Sequence, residues 1–350
     1  MKIRLLALVL GALLISVGIF GCSSKVDQPK EITFLNYGEN IDKKTLQDFE
    51  NETGIKVNLE TFDDMETMYQ KLSKSSAPYD VVLVSDQLMP RMIVESLLQP
   101  LDKNKIPNLE QMDDHYLNLE IDPQNRYSVP YMFGTVGLIY NKKMVKEPVD
   151  SWQVLWDEAY FGKVFMFDTY RDTMGVALKT LGYSLNDTDP NHLAGAIKLL
   201  REQREKIKPI YGVDNGTTMI ANGETAINMI WSGEGLNLQE ENEDLVYIIP
   251  KEGANFWIDS LCIPSKSKQK EAAEIFINYV SGKTCALRIA DEIGYTTPNL
   301  EARKEQSEKI QNNRNAYMPS EVRKQCEIYK DLSQKEKEMY YDFWTTLKTD

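Results

Sequence analysis

Apolar runs alternate with helix-like segments along the first part of the chain. Apolar runs, or alternation with a period of two, predict strands at residues 32–36, 55–62 and 81–84. Apolar residues at helical spacing predict helices at residues 42–53, 65–74 and 86–98. Gly54 is suited to end the first helix, and Pro90 is tolerated only in the first turn of the third. This order indicates a parallel, right-handed α/β layer that binds ligands at the carboxyl ends of its strands.

A long β-rich stretch separates this layer from a second α/β series. Residues 127–141 are interrupted by Gly134 and Gly137, as a strand that crosses between two lobes would be. The second series comprises predicted strands at residues 164–167, 225–231, 246–250 and 256–264 and predicted helices at residues 173–182 and 190–206. We expect the last of these strands, at residues 256–264, to cross back to the first lobe. The helix predicted after it, at residues 268–281, resembles the elements of the first layer. Residues 321–341 predict one or two surface helices.

Trp257 and Asp259 stand two residues apart in the strand predicted at residues 256–264. Side chains at that spacing point to the same face of a strand, so both should look into the same space. An indole face attracts a cation and a carboxylate neutralises one, which together suit an alkylammonium ligand. The alternative is a core tryptophan beside an exposed or capping aspartate.

The N-terminus predicts export. A positively charged start precedes the apolar residues 5–20, as in a secretory signal peptide, and this run is shorter than the roughly 20 residues of a spanning helix. The segment that ends at Cys22 resembles the bacterial lipobox, whose cysteine is diacylated, although Phe20 is bulkier than the usual residue there. We expect residues 1–21 to be a signal peptide and residues 22–30 a lipid-anchored polar linker; an ordinary signal anchor is the alternative.

The chain is acidic, with a formal net charge of −13 that becomes −15 once residues 1–21 are removed. Such a protein is a poor partner for nucleic acid or anionic lipid and a better one for cations. The remaining cysteines, Cys262, Cys285 and Cys326, lack metal-ligand spacing, and we expect buried thiols, with a pair among them left open. About 320 mature residues exceed what one core usually holds, so we expect two lobes.

No sequence motif demands catalysis. Gly282-Lys283-Thr284 imitates the end of a phosphate-binding loop, but Ile277 stands in place of the first glycine and a helix precedes it. No Gly-x-Ser-x-Gly motif is present, and His115 and His192 leave little room for histidine catalysis or a zinc site. The many carboxylates are unpaired in sequence, which leaves a glycosidase-type pair open. We expect no enzymatic activity, no metal and no cofactor.

Aromatic and acidic residues recur together at predicted strand ends and in loops. These clusters are Tyr37 with Glu39, Arg171 with Asp172, Trp231 with Glu234, Trp257 with Asp259, and Tyr295 within residues 293–299. Each cluster alone fits side-chain packing or a solvated turn. Their repetition at the edge where α/β sheets bind ligands favours one shared site.

Eight segments carry a resemblance to a known family. They are Glu52-Thr53-Gly54-Ile55-Lys56-Val57, Glu66-Thr67-Met68-Tyr69, Tyr79-Asp80-Val81-Val82, Tyr127-Ser128-Val129-Pro130-Tyr131, Leu181-Gly182-Tyr183-Ser184, Met229-Ile230-Trp231, Phe256-Trp257-Ile258-Asp259-Ser260-Leu261 and Ile293-Gly294-Tyr295-Thr296-Thr297-Pro298-Asn299. Over about residues 32–303 they look like the spermidine/putrescine-binding proteins of bacterial polyamine ABC transporters. The last two segments are the most specific.

The resemblance implies an α/β fold of two lobes, as in periplasmic binding proteins, with crossing hinge strands and a ligand cleft between the lobes. We expect one lobe at residues 31–135 plus 257–305 and the other at residues 136–256 plus 306–350. The implied protein is a lipid-anchored receptor on the extracytoplasmic face of the cell membrane, periplasmic if an outer membrane is present. We expect it to be a monomer that passes a polyamine to the membrane permease subunits of an ABC importer.

The resemblance also implies residue roles. Trp231 and Trp257 would face the methylene chain and its amines, while Asp172 and Asp259 would hold ammonium groups. Further ligand contacts are implied for Tyr37, Glu39, Ser85 and Tyr295, with Tyr329 as a candidate from the C-terminal tail.

Three positions depart from the family pattern. Tyr37 stands where a tryptophan is common, Gln87 where a tyrosine is common, and Thr169 where an acid is common, although Asp168 is adjacent. They leave the preference between spermidine and putrescine open, because a triamine needs one more neutralised amine.

Other functions stay open at this point. A receptor of the same fold could bind ferric iron, a sugar or an amino-acid cation. A secreted hydrolase using two carboxylates, or an adhesion or scaffold lipoprotein, would belong to a different class.

Overall fold

The computed structural model describes residues 31–38, 40–74, 78–146 and 148–349. The predicted signal peptide, the linker with Cys22, and Glu39 lie outside the described residues. The strands are β1 (Glu31–Tyr37), β2 (Lys56–Phe62), β3 (Val81–Ser85), β4 (Leu98–Gln99), β5 (Ser128–Asn141), β6 (Val164–Phe167), β7 (Ile210–Gly212), β8 (Ile227–Trp231), β9 (Leu245–Ile248) and β10 (Phe256–Pro264).

The α-helices are α1 (Lys43–Thr53), α2 (Met65–Lys74), α3 (Met89–Val94), α4 (Tyr170–Thr180), α5 (Pro190–Lys206), α6 (Asn215–Ala221), α7 (Ser232–Glu241), α8 (Lys270–Ser281), α9 (Lys283–Ile293), α10 (Leu300–Arg303), α11 (Glu308–Gln311), α12 (Ser320–Arg323) and α13 (Gln334–Thr349). Short 3-10 helices lie at Lys103–Lys105, Pro107–Gln111, Asp114–Tyr116, Pro123–Asn125, Trp152–Trp156 and Glu158–Tyr160.

Local chemistry sets the ends of α1. The Asp42 carboxylate accepts hydrogen bonds from the backbone N–H groups of Lys44 (3.0 Å) and Thr45 (2.9 Å), donors that no helical carbonyl can satisfy. Gly54 adopts the left-handed conformation, with φ of 73°, and ends the helix. The helix predicted at residues 42–53 is therefore confirmed, together with the residue that stops it.

The strands form one continuous sheet in the order β2-β1-β3-β10-β5-β8-β6-β7, with β4 beside β10 and β9 beside β5. Strands β1, β2 and β3 are parallel to one another, and so are β6, β7 and β8. The long strands β5 and β10 pair antiparallel with each other and with their outer neighbours. The two predicted crossing strands are confirmed, and they join two parallel α/β layers.

This pairing makes the carboxyl ends of the two layers face each other. Ser85, at the end of β3, lies opposite Asp259, which also pairs with Met132 of β5. Trp231, at the end of β8, pairs with Val136 and approaches β5 from the opposite direction. The strand between Met132 and Val136 spans about 13 Å. The carboxyl edges of both layers therefore meet over the middle of β5.

Three hydrophobic clusters cover the sheet. Val81 and Leu83 of β3 pack in one cluster with α1 and α8, whereas Val82 and Val84 pack in another with α2 and α3. A larger cluster packs α4, α5 and α13 against β6 and β8. Strand β3 is covered on both faces, which explains why its sequence is apolar throughout rather than alternating.

The helix predicted at residues 86–98 is wrong in length. Helix α3 covers only Met89–Val94, with Pro90 in its first turn, where the missing N–H of proline does no harm. Ser96 takes a positive φ of 56°, which ends the helical path before β4 pairs with β10. Residues 86–88 instead form the loop that leaves β3.

The surface helices predicted at residues 321–341 are also wrong in part. Between α12 and α13 the chain is non-helical, and Glu327 exchanges backbone hydrogen bonds with Ala254 and Phe256, each 3.0 Å long. Helix α13 is a surface helix, as predicted, and its buried Tyr340 and Trp344 pack in the largest cluster. Between the two helices, pairing with a distant strand end has overridden the local helical pattern.

The described residues also show the state of three cysteines and whether any helix could span a membrane. Cys262, Cys285 and Cys326 are buried free thiols, as predicted. None of the helices in the described ranges combines the length and the apolar character that a bilayer-spanning segment needs.

Candidate ligand-binding cleft

A cleft of about 420 Å³ lies where the carboxyl edges of the two layers meet. Aromatic, acidic and small polar side chains share its walls. They belong to Tyr37, Asn40, Met65, Ser85, Asp86, Gln87, Arg171, Asp172, Val213, Asp214, Trp231, Glu234, Asn255, Trp257, Asp259, Tyr295 and Tyr329. The residues come from β1, β3, β8, β10, α2, α4, α7 and the loops beside them, so only the folded chain assembles this surface.

The structure places seven of the eight ligand contacts expected from the sequence around this one cleft. They are Tyr37, Ser85, Asp172, Trp231, Trp257, Asp259 and Tyr295. Glu39 lies outside the described residues. The tail candidate Tyr329 and the departing residue Gln87 also line the cleft. Their common location is a structural fact, whereas their contact with a ligand stays a prediction.

Trp257 is held between β5 and Tyr295. Its ring meets the Tyr295 ring edge-on, with centroids 5.0 Å apart. Gly134 of β5 leaves room for the indole, because a Cβ at that position would lie 2.5 Å from the six-membered ring of Trp257. The indole N–H is buried and has no acceptor among the described residues. Strand β5 therefore needs glycine here for the indole to lie flat against it.

Trp231 stands at the opposite carboxyl edge, at the junction of β8 and α7. Its ring packs on Phe167, with centroids 4.5 Å apart. One turn later, the Glu234 carboxylate accepts a hydrogen bond of 3.3 Å from the Tyr295 hydroxyl. A Cβ on Gly233 would collide with the Tyr295 ring. The start of α7 thus touches the segment that carries Tyr295 from the other side of the cleft.

Asp172 lies in the first turn of α4, which begins three residues earlier than predicted. Its carboxylate accepts hydrogen bonds from the Thr169 hydroxyl (2.6 Å) and the Tyr329 hydroxyl (3.0 Å). Burial raises the pKa of Asp172, and these two hydrogen bonds oppose the rise. The neighbouring Arg171 stacks on Tyr329, with its guanidinium carbon 4.5 Å from the ring centroid. These contacts tie the C-terminal tail to the cleft.

The departure at Thr169 is not compensated by Asp168. The Asp168 carboxylate forms an ion pair with Lys348 at the molecular surface and does not line the cleft. Thr169 instead orients the carboxylate of Asp172. This end of the cleft therefore has one acidic side chain where the family pattern commonly has two.

Asp259 is the least compensated acid in the cleft. The residue is only 8 % exposed, and none of the described residues donates a hydrogen bond to its carboxylate. Burial raises its pKa from 3.8 to about 7. Burial likewise raises the pKa of Glu234. An ionised carboxylate that has lost water without gaining a partner is unstable, so a cation entering the cleft would be attracted strongly.

The lining is acidic overall. Its described residues include five carboxylates and a single basic side chain, that of Arg171. The acids are Asp86, Asp172, Asp214, Glu234 and Asp259. Among the described residues no group of three or more histidine, cysteine or acidic side chains is arranged to hold a metal ion. The chemistry of this surface suits an organic cation with an apolar stem, which indole faces and carboxylates bind together.

Sequence reasoning missed two of these acids. Asp86 directly follows β3, and that position at a carboxyl edge was a usable signal. Asp214 lies between β7 and α6, two elements that had no clear sequence pattern. The sequence pattern groups Glu234 with Trp231 but assigns it no ligand contact.

A second groove, of about 660 Å³, opens beside the tail and shares Tyr329 with the cleft. Its lining includes Arg323 and Lys330 as well as acids. Apart from Tyr329 it contains none of the residues expected to bind ligand. A cationic ligand is therefore better matched by the cleft than by this larger groove.

The chain is similar to several known proteins. The sequence profile of the family described as bacterial extracellular solute-binding protein matches residues 44–318. The spermidine/putrescine-binding periplasmic protein of Escherichia coli is 34% identical over 328 residues, covering 93% of this chain and 94% of the relative. The putrescine-binding periplasmic protein PotF of Escherichia coli is 30% identical, covering 98% and 96%.

A solved structure agrees with these relatives. The spermidine/putrescine ABC transporter substrate-binding protein PotD of Streptococcus pneumoniae superposes with a TM-score of 0.85 at 35% identity, covering 91% of this chain and 99% of that one. The TpPotD lipoprotein of Treponema pallidum shares the fold, with a TM-score of 0.79 at 23% identity. The two-lobed α/β fold of periplasmic binding proteins is thereby confirmed, and the chain belongs to the bacterial extracellular solute-binding proteins.

Proposed function

We propose that this protein binds a polyamine, spermidine or putrescine, outside the cytoplasm and delivers it to the permease of an ABC importer. The observation that carries the proposal is the buried carboxylate of Asp259, which lacks a described donor and lies beside the indole of Trp257 in an acidic cleft. The names of the relatives at 34% and 30% identity support the same class of ligand. The family consists of solute-binding proteins, so no covalent chemistry is assigned to the cleft.

The spacing of the aromatic and acidic side chains fits a thin, flexible cation. Asp259, Trp257 and Trp231 pair with Met132, Gly134 and Val136, so they succeed one another along the same stretch of β5. Methylene groups would pack on the indole faces while ammonium groups meet the carboxylates. A cation over an indole contributes on the order of 0.5–2 kcal/mol, and more when water is excluded.

Ligand capture requires the two lobes to close. We place the lobes at residues 31–135 plus 257–305 and residues 136–256 plus 306–350, with β5 and β10 as the hinge. Two of the hydrophobic clusters contain first-lobe residues only, and most of the largest cluster comes from the second lobe, which supports this division. A ligand favours closure only through contacts with both lobes. Tyr37 and Tyr295 would supply contacts from the first lobe, and Asp172 and Trp231 from the second.

Polyamines should stabilise the protein, whereas ferric iron, sugars and amino-acid cations should not. We expect putrescine and spermidine at millimolar concentration to raise the melting temperature in a thermal-shift assay, because they neutralise the buried acids.

Trp257→Ala should weaken polyamine binding at least tenfold, or about 1.4 kcal/mol, in isothermal titration calorimetry. Phe161→Ala serves as the control, since this exposed aromatic lies outside the cleft. A panel in which no polyamine shifts the melting temperature would rule the function out.

The ligand-free protein should lose stability as Asp259 ionises. Because the folded-state pKa of Asp259 is raised from 3.8 to about 7, the folded protein binds more protons than the unfolded chain between these values. Its free energy of unfolding therefore falls as the pH rises from about 4 to about 7. Asp259→Asn should raise the ligand-free melting temperature at about pH 8, leave it unchanged at about pH 4, and weaken polyamine binding at least tenfold.

Scanning fluorimetry across this pH range provides the measurement. Asp114→Asn is a matched control, because it removes the same charge from an exposed position. Parallel pH profiles for the unaltered protein and Asp259→Asn would contradict the predicted destabilisation.

Closure should depend on the close approach of α7 to Tyr295. Gly233→Ala places a Cβ 2.4 Å from a carbon of the Tyr295 ring, so we expect the lobes to stay apart and the affinity for putrescine to fall at least tenfold. Small-angle X-ray scattering should show a monomer whose radius of gyration shrinks with putrescine, and less so in the variant. Gly195→Ala, where the nearest side-chain atom is 3.7 Å away, is the control. Equal compaction in all three proteins would disprove a role for this contact.

We further propose that Cys22 is lipidated and tethers the receptor to the outer face of the cell membrane. The charged start, the apolar run and the residues around Cys22 support this attachment. The unaltered protein should incorporate labelled palmitate and Cys22→Ser should not, measured by metabolic labelling and immunoprecipitation. An unaltered protein that stays in the membrane without incorporating palmitate would instead support an uncleaved signal anchor.

A further inference from the structure

Asp86 is a buried acid at the carboxyl edge of β3 to which the family resemblance assigns no role. Its side chain is 4 % exposed and lines the cleft. Oδ1 accepts a hydrogen bond of 2.8 Å from the backbone N–H of Gln87, whereas the buried Oδ2 has no partner among the described residues. One carboxylate oxygen thus has a hydrogen-bond partner within the protein. The other oxygen can accept a hydrogen bond from a ligand.

The backbone holds Asp86 beside Asp259. Asp86 donates its N–H to the carbonyl of Ile258 (3.0 Å), and the preceding residue, Ser85, pairs directly with Asp259. Burial raises the pKa of Asp86 well above its usual range, and the nearby charge of Asp259 raises it further. Two buried carboxyl groups this close resist being ionised together. Neither forms a salt bridge with any of the described residues.

The other ionisable groups around this pair leave its charge largely uncompensated. From the tail, the positive charge of Arg323 lowers the pKa of Asp86, but this effect is smaller than that of burial. From β1 and from the segment after α9, Tyr37 and Tyr295 line the same cleft; burial raises the pKa of both, and the charge of Asp259 raises it further. The two tyrosines therefore stay neutral at physiological pH and can donate hydrogen bonds. Asp214, across the cleft, adds a further negative charge that acts on Tyr37.

We propose that Asp86 and Asp259 form a carboxyl pair that shares one proton in the empty cleft and releases it to bind a primary ammonium group with both carboxylates. This inference rests on the proposed polyamine function and makes Asp86 a determinant of affinity and specificity. A primary ammonium has three N–H donors, enough for both carboxylates and one neighbouring hydroxyl. A fully methylated ammonium has the same charge and no N–H donor, so it gains nothing from the second carboxylate beyond charge attraction.

The proton balance of binding follows from this arrangement. The ligand enters with its ammonium proton retained, and the proton of the carboxyl pair passes to the buffer. Binding near neutral pH should therefore release about one proton through this pair. Calorimetric titrations of putrescine in buffers of different ionisation enthalpy measure that number directly.

Asp86→Asn tests the inference without removing the structural hydrogen bond, because the amide oxygen still accepts from Gln87. We expect the variant to bind putrescine at least tenfold more weakly and to release about one proton fewer. Its ligand-free melting temperature at about pH 8 should rise, because the repulsion within the pair is gone. The putrescine analogue with both amines fully methylated should lose less affinity on this substitution than putrescine does, because it loses only charge attraction and no hydrogen bond. Asp114→Asn, which removes an exposed charge, should behave like the unaltered protein in each measurement.

The experiments distinguish a failure of the proposed polyamine function from a failure of the proposed role of Asp86. If the unaltered protein binds no polyamine, the proposed function itself is overturned. If the unaltered protein binds putrescine and Asp86→Asn leaves both the affinity and the proton release unchanged, only the role of Asp86 is overturned.

Discussion

The antiparallel pairing of β5 with β10 is the interaction on which the rest of the structure depends. Both strands run through the middle of the sheet and connect two parallel layers whose carboxyl edges face each other. That opposition brings Asp259 and Trp257 from β10 within reach of Trp231 at the end of β8. The same two strands form a natural hinge, because bending them changes the width of the cleft without unpacking either set of helices.

The cleft concentrates unfavourable electrostatics at that junction. Asp259 and Asp86 are buried without cationic partners, and Glu234 and Asp172 are also desolvated. A fold normally avoids such groups, since each costs free energy when it is ionised. Sites that break the usual rules of stability are often sites of function. In the proposed function an organic cation supplies the partner that these acids lack, so the cost of burying them and the affinity for the ligand would have one cause.

Sequence patterns predicted those elements whose ends are set by neighbouring residues. Helices α1, α2 and α5 match because their apolar spacing is local and an aspartate beside each N-terminus accepts a hydrogen bond from its first turn. In α1 a glycine also stops the helix. Helix α7 had no such signal, since it begins Ser-Gly-Glu-Gly and its glycines are needed where Tyr295 and Tyr247 pack closely. The tail was mispredicted for a related reason. Its backbone pairs with residues around Asn255, about 70 positions earlier in the chain, and no local pattern records such a contact.

The sequence by itself determined the α/β class, the two crossing strands and the pairing of an indole with a carboxylate on one strand face. Side chains alternate between the two faces of a strand, so the shared face of Trp257 and Asp259 follows from their spacing alone and can be derived without coordinates. Only the tertiary structure decided that Asp168 is tied to Lys348 outside the cleft, and that Asp86 lies next to Asp259 inside it. Burial and proximity between distant segments set the charge of a carboxyl group, and neither quantity exists until the chain has folded.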